Sequence, residues 1–132
     1  DTRPQPGVTV DEVRGLLEAA ITRAQATDSE IKTELVLADR KDAFMVPRDA
    51  PVVRHTSAAW ERIMHRPTVY SGGSWLADTA SMGAFVETVI FGPGGDPVYQ
   101  PNESLEITDI ERACQINALT VAMALVPEMS DV

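Results

Sequence analysis

Thr9-Val-Asp-Glu12 is followed by Val13, Leu16, Leu17, Ala20, Ile21 and Ala24, and no other stretch restricts its own fold so tightly. A threonine three residues ahead of a glutamate lets the hydroxyl accept from the first-turn backbone. The carboxylate reaches back to the threonine N–H, so two orphan donors of a helix start are satisfied together. The apolar residues then recur with a period of about 3.6, which lays them on one stripe. The pattern predicts a helix whose apolar face must be covered by something else. Pro6-Gly7 marks a turn that separates it from a short extended stretch, Asp1 to Arg3.

From Glu30 the period changes to two. Ile31, Thr33, Leu35 and Leu37 alternate with Lys32, Glu34 and Val36, which predicts a half-buried strand. Ala43 to Val46 reads as a second short strand, and Pro47 through Pro51 punctuates the chain, with Asp49 a candidate cap and Pro51 tolerated in a first turn. Val52 to Met64 predicts a helix burying Val52, Val53, Thr56, Ala59, Trp60, Ile63 and Met64. Thr68 to Tyr70 and Val86 to Phe91 read as strands, and Leu76 to Met82 as a helix. Thr108-Asp-Ile-Glu111 repeats the capping-box pattern and opens a last helix, with Ile110, Ala113, Cys114, Val121 and Leu125 inward and Pro127 as its stop. Alternating helices and strands predict an α/β arrangement with helices packed on sheets, divided at Pro47 to Pro51.

Twenty acidic and eleven basic side chains leave a formal charge of −9, which disfavours nucleic acid and anionic membrane as partners. Arg40, Lys41, Arg48, Arg54, Arg62 and Arg66 are interspersed with Asp39, Asp42, Asp49 and Glu61, the pattern of a solvated face. Cys114 is the single cysteine; it excludes an intrachain disulfide, fits a reducing cytoplasm, and reads as a packing residue. The longest apolar run, Ala118 to Val126, is too short to span a bilayer, and no signal-peptide pattern precedes Asp1. His55 and His65 lack the close spacing of a metal pair and read as surface residues.

The sharpest candidate for chemistry is Phe91-Gly-Pro-Gly-Gly95. Glycines at a strand exit permit positive φ and turn N–H groups toward an anion, or they simply make a tight turn. Arg3 carries a fork suited to a carboxylate, with a solvated surface role as the plainer alternative. Asp78 either supports a site or sits at a helix N-terminus, where the dipole favours a carboxylate.

As a set, Asp1-Thr-Arg3 with Pro6-Gly7, Asp78-Thr79-Ala80, Phe91-Gly-Pro-Gly94 and Tyr99-Gln-Pro-Asn102-Glu103 resembles the carboxyl-terminal part of the zinc-dependent amidohydrolases. That family includes aminoacylase, carboxypeptidase G, acetylornithine deacetylase and succinyl-diaminopimelate desuccinylase. The resemblance covers nearly the whole chain. It implies that residues 1–46 are the second half of a ferredoxin-like lid and dimerisation domain, and that 47–132 are the last part of a catalytic α/β sheet domain. It further implies a homodimer through the lid and two zinc or similar ions whose main ligands lie outside these residues. No catalytic residue falls in this chain, which alone is expected to be inactive.

By the same resemblance Arg3 grips a substrate carboxylate, and Gly92, Gly94 and Gly95 lie beside substrate. Asp78, Asn102 and Glu103 support the site. Tyr99 stands where the family usually has a histidine that ligates the second metal. A phenol ligates well only after losing its proton, which an imidazole need not do. Three readings are open: a phenolate ligand, a substrate contact with the metal held otherwise, or a lost second site. The expected activity is cleavage of an amide next to a free carboxylate, in a dipeptide or an N-acyl amino acid. The alternatives are a non-catalytic relative serving as a binding or dimerisation module, and a self-contained small protein.

Overall fold

A computed structural model describes residues 2–39, 41, 43–73, 77–94 and 99–126. Its helices are α1 (Val10–Thr27), α2 (Pro51–Met64), α3 (Thr79–Met82) and α4 (Ile107–Leu125). The chain divides into two units, Asp1–Met45 with Gly73–Ala84, and Val46–Gly72 with Phe85–Val132.

In the first unit α1 starts as its sequence prescribes. The Thr9 N–H donates to Glu12 Oε2 at 2.7 Å and the Glu12 N–H donates to Thr9 Oγ1 at 3.2 Å. The Thr9 hydroxyl also donates to Glu12 Oε2 at 2.9 Å, and the two bonds to the carboxylate, the backbone one first, hold its pKa below the ordinary value. The helix ends at Asp28, whose N–H donates to the Ala24 carbonyl and whose carboxylate accepts from the Glu30 N–H at 2.9 Å. None of its described residues is buried: Val13 and Ile21 are half-buried, and Leu16 is 71% exposed. The Phe44 ring packs against Gly83, at the end of α3, where a Cβ would overlap the ring.

The second unit holds the core. Pro51 supplies the fixed φ of the first helical position of α2, while Ala50 rather than Asp49 is the N-cap and no side chain caps it. The helix stops at His65, which adopts a left-handed φ of 53° and donates its N–H to the Glu61 carbonyl. Along α2, Val53, Thr56 and Ala59 are buried, and along α4 Ala113, Ile116 and Met123. Ala59, Ile116 and Met123 form the centre, with Trp60, Ile63, Met64, Phe91 and Leu119 packed around it. Thr56 and Thr120 enter this apolar seam because their hydroxyls donate to the carbonyls of Val52 and Ile116 four residues back.

The expected α/β fold is corrected by the structure: among the described residues no strand is formed, so neither a catalytic sheet nor a ferredoxin-like lid is seen in them. Residues 30–37, 43–46, 68–70 and 86–91 carry no strand pairing. Alternation dictates which side of an extended segment is apolar, but a strand exists only through hydrogen bonds to a second edge. Around Thr68 those groups turn to α2 instead. The Thr68 N–H donates to Glu61 Oε1 at 3.1 Å, and its hydroxyl donates to the Ser57 carbonyl. Tyr70 closes the flap through a 2.9 Å hydrogen bond between its hydroxyl and Ser57 Oγ, with the Arg48 guanidinium over its ring.

The last helix also departs from expectation. Its N-cap is Glu106, so Thr108 lies inside the first turn and cannot serve as the cap of a Thr108-to-Glu111 box. Cys114 is exposed, as are Ile110, Val121 and Leu125. The helix is apolar on more than one side, and α2 covers only the line through residues 113, 116 and 123.

Candidate functional site

Within the second unit the glycine segment after Phe91 meets an aromatic corner; the tight turn expected there is not formed at residues 91–94, and neither Gly92 nor Gly94 has a positive φ. Trp60 stands on the α4-facing side of α2, and the Phe91 ring contacts it edge-on with centroids 6.2 Å apart. The Arg66 guanidinium lies 4.9 Å from the centre of the same indole, a cation–π distance. Gly92 and Gly94 continue from Phe91 and line a small cavity of about 50 Å³ together with Trp60, Met64, Asp109 and Arg112. Its floor reaches Ala113 and Ile116 of the core. Asp109 and Arg112 face each other across one turn of α4, with Nη1 and Oδ1 3.4 Å apart. Indole Nε1 of Trp60 is buried and has no hydrogen-bond partner among the described residues.

The closing motif forms a turn of its own. Tyr99 and Asn102 both have left-handed backbones, with φ of 58° and 63°, which for a bulky aromatic residue is a strained choice. Glu103 stabilises the turn from both ends: its Oε2 accepts from the Tyr99 N–H at 3.1 Å, and its own N–H donates to the Gln100 carbonyl. Tyr99 is 83% exposed. Gly95, the remaining member of the expected turn, lies outside the described residues.

The other two expected site residues, Arg3 and Asp78, belong to the first unit. Both are exposed. Asp78 is the N-cap of α3 without a side-chain capping bond, and its carbonyl accepts from the N–H groups of Ser81 and Met82. That unit also has a broad cleft of about 460 Å³ lined by Phe44, Met45, Ser81 and Gly83, with Lys41 as its charged residue.

Zinc is implied by the family resemblance. Among the described residues, however, no three His, Cys, Asp or Glu side chains come together in a way that would hold a metal ion. Next to Tyr99, the Glu103 carboxylate is already engaged by the Tyr99 amide. Among the described residues these donors do not make a metal centre.

Sequence reasoning placed Trp60 on the buried stripe but gave it no further role, and it passed over Asp109 and Arg112. Two signals were present: an aromatic residue with a polar N–H on a core face, which calls for a partner, and opposite charges three residues apart on one helix face. Compared with known proteins, the chain matches no family model, no curated sequence and no solved structure. No described helix is long and apolar enough to cross a membrane.

Proposed function

We propose that this chain is the substrate-recognition part of a metal-dependent hydrolase that cleaves an amide next to a free carboxylate. Its dipeptide or N-acyl-amino-acid substrate is positioned here, while the metals are held by groups outside these residues. The observation that carries the reading is the Gly92 to Gly94 segment lining a cavity beside Trp60 and Arg112, since backbone free of side chains suits close approach of a substrate. The ordered Asp-x-Arg, Asp-Thr-Ala, Gly-Pro-Gly and Asn-Glu elements add to it.

The test uses the whole protein that contains this chain, assayed on dipeptides and N-acyl amino acids with zinc, cobalt or manganese supplied and then chelated. Chelator-sensitive turnover is expected. Arg3→Ala is expected to raise KM about 10- to 100-fold, the worth of one charge-assisted hydrogen bond, and to leave uncharged amide analogues unaffected. Absence of turnover on the whole panel overturns the reading.

A second reading, a non-catalytic binding or dimerisation module, is favoured by the uncovered stripe of α1, where Leu16 is 71% exposed. It predicts a concentration-dependent oligomer without metal-dependent hydrolysis.

A further inference from the structure

We draw no further inference here: the strongest candidate, the exposed apolar stripe of α4 through Ile107, Ile110, Val121 and Leu125, lies away from the residues that face α2, and nothing in the structure shows what covers it.

Discussion

The two units hold their helices by different means. The second closes α2 on α4 through a seam in which Ala59 is fully buried and Ile116 and Met123 nearly so. The first carries a helix four residues longer than α2, by the bounds Val10–Thr27 against Pro51–Met64, with no buried residue. Its order rests on local devices: a reciprocal cap, the Arg14–Glu18 pair at 2.8 Å and an aspartate turn at its end. The lesson is that a helix is legible from its ends, whereas its stability depends on what its face meets.

Breaking the seam should have the largest effect. Ile116→Ala removes the most deeply buried large side chain and is expected to cost about 2–5 kcal/mol. Hydrogen exchange should then accelerate along α2 and α4 and stay unchanged along α1. Equal acceleration in α1 would show that the two units unfold as one.

Next in size is Gly83→Ala in the first unit, where the added methyl must displace Phe44. A cost of about 1–3 kcal/mol is expected, read as a change in the Phe44 ring resonances. Thr9→Ala removes one half of the cap and should cost ~1 kcal/mol, appearing as fraying confined to the first turn of α1. Leu16→Ala should be smaller still, under about 0.5 kcal/mol, because the side chain is largely in water.

The cap also gives the first unit a pH dependence. Bonds to the ionised carboxylate lower the Glu12 pKa from its ordinary value near 4.5, so its contribution is complete above that value and is lost as pH falls through the lowered folded value. A circular-dichroism titration should show α1 losing helicity in that acidic window, and Glu12→Gln should abolish that step.

The units also differ in how much of each could be read in advance. The capping box at Thr9 and the stripe from Val52 to Met64 are local signals, and both helices stand where those signals put them. Misreading set in where a local pattern needed a distant partner. The alternation at 30–37 specifies faces but supplies no second edge, and α4 offers several apolar stripes from which only contact with α2 selects. The candidate site divides likewise. The glycines at 92 and 94 were marked by composition and the Asp109–Arg112 pair by its spacing on one helix, whereas their meeting beside Trp60 depends on α2 lying against α4.

The outward position of Cys114 has a practical side. As the single thiol of the chain, exposed one residue from the buried Ala113, it accepts a maleimide dye or nitroxide without disturbing the interhelical seam. Air oxidation of this chain alone can tie together no more than two copies, through one bridge. A non-reducing gel should therefore show a single additional band that disappears with Cys114→Ser.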